Sequence, residues 1–121
     1  MTKEELRDYC YSIGLIDTKL PMTDGGLYVK GYRYSGEFVN QLDFIAAYDD
    51  RCNSVLVAED SVISFDFPDG PIRMTGSEII YDDTNIKNRI NFLIHKVTEN
   101  IKTMKEKQMQ FKLSKIEGDF E

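Results

Sequence analysis

Residues 82–111 read DDTNIKNRINFLIHKVTENIKTMKEKQMQF, and this stretch decides the fold. At about 100° per residue from Ile90, its apolar side chains collect on one line of a helical wheel, as in a helix that buries a single stripe. Asp82 and Asp83 stand where the positive end of a helix favours carboxylates. We therefore predict one amphipathic helix from about Thr84 to Lys115. The apolar stripe consists of Ile86, Ile90, Leu93, Ile94, Val97, Ile101, Met104 and Phe111.

This helix is longer than the body that it should cover. From Ile86 to Phe111 the stripe spans roughly 38 Å at ~1.5 Å per residue, whereas a compact body of the remaining ~85 residues has a diameter of roughly 30 Å. Because an exposed apolar seam costs ~25 cal/mol per Å², we expect the helix to drive homo-oligomerisation. Alternatively, a kink folds the C-terminus back, or the seam is kept for a partner. The candidate oligomer interface is Ile90, Ile94, Val97, Ile101, Met104 and Phe111.

Charge divides the chain into three segments. Residues 1–83 contain seven Lys/Arg and sixteen Asp/Glu, a net charge of −9, and residues 84–116 contain eight and two, a net charge of +6. Residues 117–121 form an acidic tail of −3, so the whole chain carries −6. An acidic body therefore carries a basic helix, in which residues 102–115 alone hold five lysines against one glutamate. The basic residues that flank the apolar stripe on the wheel are Lys87, Arg89, Lys96, Lys105 and Lys107.

Four interpretations of this basic helix stay open. Its lysines can pair with the acidic surface of the same chain or of a second copy. In this interpretation their role is only structural, because long lysine stems commonly lie over buried surface. They can also form an anion-binding site at an oligomer interface, contact a protein partner, or lie on a membrane surface. The first interpretation is favoured because the stripe between the lysines is apolar and calls for burial.

The N-terminal segment predicts a second, shorter helix. Thr2 and Glu5 form a capping box, in which each side chain satisfies an amide that the first turn leaves unpaired. Leu6 and Cys10 repeat at helical spacing, and Gly14 supplies a C-terminal stop.

Between the helices the apolar period changes from 3.6 to 2, which predicts an antiparallel sheet of four to five strands. Residues 15–26 contain a Pro and a Gly-Gly pair and are predicted as a connecting loop. Short polar turns, at 49–53 and at the Pro-Asp-Gly of 68–70, separate consecutive strands and imply antiparallel pairing. The predicted strands are 27–34, 38–48, 54–58, 62–67 and one within 72–81.

Size and composition make the chain a single domain, residues 1–121, in the α+β class. No apolar run approaches the ~18–20 residues of a membrane span, and the N-terminus has no apolar signal region, so we expect a cytoplasmic protein that does not contact a membrane. Cys10 and Cys52 lie outside any paired motif and His95 is the single histidine, so neither a metal site nor a cofactor is expected. Both thiols are expected to be reduced.

No catalytic motif survives inspection. Residues 49–60 have the length of a calcium-binding loop, but Arg51 and Ser54 stand where an oxygen ligand and a turn glycine are required. His95 lies far from the apolar stripe and has no nucleophile beside it in sequence, so we expect it on the surface. The carboxylates are numerous, but sequence cannot show that any two share a pocket.

The stretch 26–36, GLYVKGYRYSG, is the most suggestive for a ligand. Tyr28, Lys30, Tyr32 and Tyr34 share one strand face, and tyrosines beside a lysine can stack a base and hold a phosphate. The structural alternative is a sheet face on which the tyrosines pack their rings against the core and keep their hydroxyls in contact with solvent. Extended nucleic acid is disfavoured because the surrounding body is acidic. The candidate ligand-binding residues are Tyr28, Lys30, Tyr32, Arg33, Tyr34, Arg89 and Lys96.

We therefore expect a non-enzymatic binding protein. The favoured hypothesis is an acidic interaction module that inhibits or regulates a protein partner, a composition common among accessory proteins of phages and mobile elements. The alternative is an oligomeric protein that binds or sequesters a small anionic ligand, such as a nucleotide, at a subunit interface.

Overall fold

The computed structural model describes the backbone of residues 1–20 and 27–119, and the side chains of these residues as far as Met109. The Gly25–Gly26 pair of the predicted loop, the side chain of Phe111 and the side chains of the acidic tail lie outside this description. The helices are α1 (Lys3–Ser12) and α2 (Asp83–Asp119), and the strands are β1 (Ile16–Asp17), β2 (Val29–Arg33), β3 (Ala46–Asp49), β4 (Ser54–Val57), β5 (Asp60–Ile63), β6 (Ile72–Thr75) and β7 (Glu78–Ile80).

The short N-terminal helix α1 forms as its sequence predicts. The Thr2 hydroxyl accepts a hydrogen bond from the Glu5 amide at 3.1 Å, and the Glu5 carboxylate accepts one from the Thr2 amide at 3.3 Å. Gly14 follows the helix with a φ of 89°, a conformation that glycine adopts without steric cost. Leu6 and Cys10 point from α1 into the core. The capping box and the glycine stop are therefore confirmed.

The main sheet has five antiparallel strands in the order β1-β2-β3-β4-β7. Residues directly opposite one another in neighbouring strands share a face of the sheet, and the register aligns Tyr48, Val55 and Ile80. These side chains meet Leu6 of α1 and Ile90 of α2 in one core cluster. Both helices therefore cover the same face of the sheet, which confirms the α+β class.

A second, smaller sheet is the antiparallel hairpin of β5 and β6. It packs against the middle of α2, where Val39, Ile72 and Val97 form a separate buried cluster. The partly buried Ile101 and Met104 lie against this cluster. Helix α2 thus serves two cores in succession, the main sheet with its first turns and the hairpin with its later turns.

The prediction of a strand over residues 38–48 is wrong for most of its length, because β3 begins only at Ala46. Phe38 adopts a φ of 68°, which is outside the range of a strand. The side chain of Asn40 then accepts a hydrogen bond from the Leu42 amide at 2.9 Å, a local turn that competes with strand pairing. Val39 makes an isolated parallel bridge with Ile72 instead. Residues 38–45 form a loop that binds the main sheet to the hairpin.

The remaining strand boundaries need smaller corrections. The predicted loop 15–26 contains the two-residue strand β1, which pairs with β2. The predicted strand 62–67 starts earlier, as β5, and ends at Ile63. The predicted strand within 72–81 is two strands in different sheets, because Gly76 with a φ of 62° separates β6 from β7. The chain turn at 68–70 is confirmed by a hydrogen bond from the Gly70 amide to the Phe67 carbonyl at 3.1 Å.

The long C-terminal helix is confirmed, and it begins one residue before and ends four residues after the predicted span. Four residues of its predicted stripe, Ile86, Ile90, Leu93 and Val97, are completely buried. Across the described residues, neither helix combines the length and the apolarity that crossing a membrane requires.

Candidate functional site

The strand face that carries the predicted ligand-binding tyrosines is the face that the helices cover. Tyr32 is fully buried in the main core, where its ring meets the ring of Tyr11 edge to face at 5.8 Å between centroids. Burial raises the pKa of the Tyr32 hydroxyl to about 12, so it stays protonated. The hydroxyl of Tyr34 lies 3.4 Å from the Thr98 hydroxyl of α2. These two rings therefore connect the sheet to the helices.

The other candidates on or next to β2 are exposed to different degrees, and Lys30 and Tyr28 have partners within the chain. The Lys30 ammonium lies 3.1 Å from the Asp17 carboxylate of β1. The ring of Tyr28, at the sheet's end, lies under the Arg51 guanidinium at 5.5 Å. Arg33 is half-buried on the opposite face of the strand from Lys30.

The two helix cations of the predicted ligand site lie elsewhere. Arg89 forms an ion pair with Glu78 of β7 at 2.6 Å, and Lys96 lies 3.8 Å from Asp60 of β5. Because β3 and β4 separate β7 from β2, the Arg89 partner is about three strand spacings, roughly 14 Å, from Lys30's strand. The seven residues thus do not surround one cavity.

Each of the five cations that flank the apolar stripe of α2 contacts the body of the chain. Arg89 and Lys96 pair with carboxylates as described, and the Lys105 ammonium lies 3.8 Å from the Glu37 carboxylate. The Lys87 and Lys107 ammonium groups lie over aromatic rings, at 5.3 Å from the Tyr9 centroid and 4.8 Å from the Phe65 centroid. These five cations therefore contact groups of their own chain.

The candidate oligomer residues divide according to how much surface they retain. Ile90 and Val97 are completely buried by their own chain, so they have no area left for a second copy. Ile94, Ile101 and Met104 are half-buried. They pack against the two buried clusters as partly buried residues.

Exposed apolar surface is found on the loop between β5 and β6, residues 64–71, which we call the aromatic loop. Its Phe65 and Phe67 are 67% and 44% exposed. The Ser64 amide donates to the Pro71 carbonyl at 2.7 Å and closes the loop at its base. The exposed Asp66 and Asp69 lie between and beside the two rings in sequence. The loop therefore presents two rings among carboxylates.

An ion pair beneath the aromatic loop fixes the position of Phe67. The Arg73 guanidinium lies 3.9 Å from the Phe67 ring centroid and donates to the Asp43 carboxylate at 2.6 and 3.2 Å. The same carboxylate accepts a hydrogen bond from the Met74 amide at 3.0 Å. A bidentate arginine–carboxylate pair has a defined geometry, so the cation stacked on the ring is itself held in place.

The base of the aromatic loop packs tightly on the loop 38–45. Gly70 is buried, and a Cβ added there would lie 2.7 Å from the Cα of Asn40, so only glycine fits. Beside this contact, Leu42 and Asp69 line an open hollow of about 290 Å³. Leu42 is more than half exposed and adds apolar area next to the loop.

The thiols and the carboxylates offer little chemistry. Cys10 is buried and Cys52 is exposed, and neither forms a disulfide. Burial raises the pKa of the Cys10 thiol to about 12, which makes it unreactive. Within residues 1–20 and 27–109, no three His, Cys, Asp or Glu side chains converge to hold a metal ion. His95 is largely exposed, 3.9 Å from Glu99 on the same helix.

The aromatic loop does not follow from the sequence pattern. Residues 62–67 alternate apolar and polar side chains as a strand does, so the pattern places Phe65 and Phe67 in a half-buried strand. The signal that could have found the loop is the Pro-Asp-Gly turn directly after them, because rings next to a tight turn have few neighbours to pack against. Arg73 and Asp43 are thirty residues apart, and sequence alone cannot pair them.

Comparison of the whole chain with protein families, with curated proteins and with solved structures gives no match.

Proposed function

We propose that this protein is a non-enzymatic, cytoplasmic interaction module that inhibits or regulates a protein partner through the aromatic loop. The observation that supports it is the exposure of Phe65 and Phe67 on a loop held by the Asp43–Arg73 ion pair. Large exposed aromatic side chains on a fixed backbone are typical of the residues that dominate protein–protein binding.

The exposed ring area is large enough to matter for affinity. If each phenylalanine presents ~200 Å² when free, the exposed fractions amount to about 220 Å², which corresponds to about 5 kcal/mol when removed from water. The carboxylates of Asp66 and Asp69 beside the rings favour a partner with a cationic rim around an apolar pocket. The small-anion alternative has less support, because its candidate residues are dispersed and three of its four cations, Lys30, Arg89 and Lys96, already contact carboxylates.

The test is capture from the native host followed by binding of the purified, identified partner. We expect Phe65→Ala/Phe67→Ala to weaken that binding at least tenfold and to relieve inhibition of the partner. Leu27→Ala is the matched control, since it removes a large apolar side chain of similar exposure, 70%, just before β2. Equal binding by wild type and by the double variant, both folded by circular dichroism, would contradict the proposal.

Self-association through α2 is part of the same proposal. The helix continues for twelve residues past Lys107, about 18 Å, and Met109 is 64% exposed. The half-buried Ile94, Ile101 and Met104 supply the adjoining surface. We expect a dimer or larger oligomer in analytical ultracentrifugation at micromolar concentration, dissociated by Ile101→Lys. A monomeric mass for the wild-type chain at that concentration would eliminate this part of the proposal.

A further inference from the structure

The edge strand β7 has an unusual composition for its position. It is the last strand of the order β1-β2-β3-β4-β7, and among the described residues it pairs only with β4. Proteins commonly protect such edges with lysine, proline or a bulge, because unpaired backbone groups recruit other strands. Here the edge reads Glu78-Ile79-Ile80-Tyr81, with Ile79 41% and Tyr81 80% exposed. The three residues of β7 include no lysine or proline, and the exposed apolar side chains at this edge favour pairing.

A groove of about 590 Å³ lies along this edge, between β7 and the first turns of α2. We call it the edge groove. Residues 78–82 form one wall, and Asn85, Asn88 and Arg89 form the other. The Arg89 guanidinium bridges the two walls, since it contacts the Glu78 carboxylate at 2.6 Å and donates to the Ala58 carbonyl at 3.4 Å. The volume of the edge groove falls within the ~300–1,000 Å³ of typical ligand sites.

The helix wall is suited to an extended polypeptide. The side-chain amides of Asn85 and Asn88 each offer a donor and an acceptor, which together match a peptide group. Phe92 lies on the same helix face, seven residues after Asn85 and four after Asn88, and is half exposed. Tyr81 therefore lines the edge groove, and Phe92 provides a second exposed ring beyond the groove on the same helix face.

Charge indicates the chemistry of the occupant. Glu78 and Asp82 stand on the strand wall, against the single cation of Arg89, and the body that carries them has a net charge of −9. A second copy of this chain would bring two such bodies edge to edge, which like charges oppose. A lysine- or arginine-containing segment is attracted instead.

We propose that the edge groove binds an extended, basic segment of a protein partner, which adds to the sheet as a sixth strand beside β7. Main-chain hydrogen bonds to β7 supply part of the affinity, and alternate apolar side chains contact Ile79 and Tyr81. This site is separate from the aromatic loop, so the inference does not depend on the proposed function.

A random peptide display library, selected on the immobilised wild-type chain, tests the inference. We expect enriched peptides with lysine or arginine alternating with apolar residues, and saturable shifts of the backbone amides of residues 78–80 in ¹⁵N spectra. Tyr81→Ala should weaken the enriched peptide at least fivefold, whereas Phe65→Ala, an exposed ring on the aromatic loop, should leave it unchanged. A copy of the peptide with alternate backbone amides methylated should not bind.

Four results would overturn the inference: no enrichment, shifts confined to other surfaces, equal binding of the methylated peptide, or equal loss with both variants. Concentration-dependent shifts of residues 78–80 without peptide would assign the edge to a second copy and overturn it as well. Failure at the edge groove with intact partner binding by the aromatic loop would leave the proposed function standing, so the two proposals fail separately.

Discussion

Asparagine in place of Asp43 tests the ion pair that holds the hairpin and the aromatic loop to the main sheet. The Asp43 carboxylate accepts two hydrogen bonds from Arg73 and one from the Met74 amide. The substitution removes one charge and leaves the shape of the side chain almost unchanged. It also leaves the Arg73 guanidinium without its counter-charge beneath Phe67.

The expected magnitude follows from the burial of the pair. Ion pairs in water contribute ~0–1 kcal/mol, and removing one partner of a fully buried pair costs ~3–5 kcal/mol. The Asp43 and Arg73 side chains are 13% and 26% exposed, between these limits but nearer the buried one. We therefore expect Asp43→Asn to lower the free energy of unfolding by about 2–3 kcal/mol.

The assay is urea unfolding followed by circular dichroism, with the midpoint and slope fitted together. Asp50→Asn is the matched control, because Asp50 pairs with Lys3 at 3.0 Å but both side chains are nearly half exposed. Its expected cost is below about 0.5 kcal/mol. If the two variants differ by less than about 0.5 kcal/mol, the pair does not hold the hairpin and the rigid presentation of the aromatic loop is refuted.

Three further predictions concern the core and two titrating groups. Leu93→Ala should cost about 2–5 kcal/mol in urea unfolding, whereas Phe92→Ala, exposed on the same helix, should cost less than about 1 kcal/mol; similar costs would contradict the assigned helix face. The buried Cys10 thiol, its pKa raised to about 12, should react with a thiol reagent only after unfolding, whereas the other cysteine reacts in the folded protein. The Tyr11 hydroxyl, 2.6 Å from Asp17, is the main cause of the lowered pKa of that carboxyl, so Tyr11→Phe should raise it in an NMR titration. Because the pKa of Asp17 is lower in the folded protein, its carboxylate stabilises the fold at pH values above the pKa that it has in the unfolded chain. This stabilisation is lost as the pH falls through the pKa of the folded protein. An unchanged Asp17 pKa in Tyr11→Phe would disprove the role assigned to the Tyr11 hydroxyl.

The helices could be predicted from sequence because their period is set by local backbone geometry. The wheel placed Ile86, Ile90, Leu93 and Val97 on one line, and all four are completely buried. The strand 38–48 could not be predicted correctly, because the apolar alternation continues through a turn that Asn40 forms with its own side chain. Alternation reports which residues share a parity, and it does not report whether the backbone stays extended.

The candidate surfaces depend on what the rest of the chain leaves uncovered, which no local pattern contains. Tyr32 and its neighbours share a strand face as predicted, but only the packing of α1 and α2 decides that this face is the inner one. Phe65 and Tyr81 are exposed for the converse reason, because the helices leave most of their ring surface open, although the Lys107 ammonium of α2 lies over the Phe65 ring. Residue type and spacing can therefore identify a side chain as a candidate for binding, but the tertiary arrangement decides whether that side chain is accessible.

The contacts of the α2 cations explain the division of the chain into an acidic body and a basic helix. A basic helix on an acidic body suggests a site for phosphate when only the sequence is considered. In the structure its flanking cations lie on carboxylates or rings of the body, from Lys87 near the start of α2 to Lys107. These contacts direct the positive charge inward, and an approaching partner meets the exposed carboxylates of the body, such as Asp66 and Asp69. Because exposed carboxylates repel phosphate and attract cationic protein surfaces, this arrangement supports the proposal of a basic protein partner rather than a nucleotide.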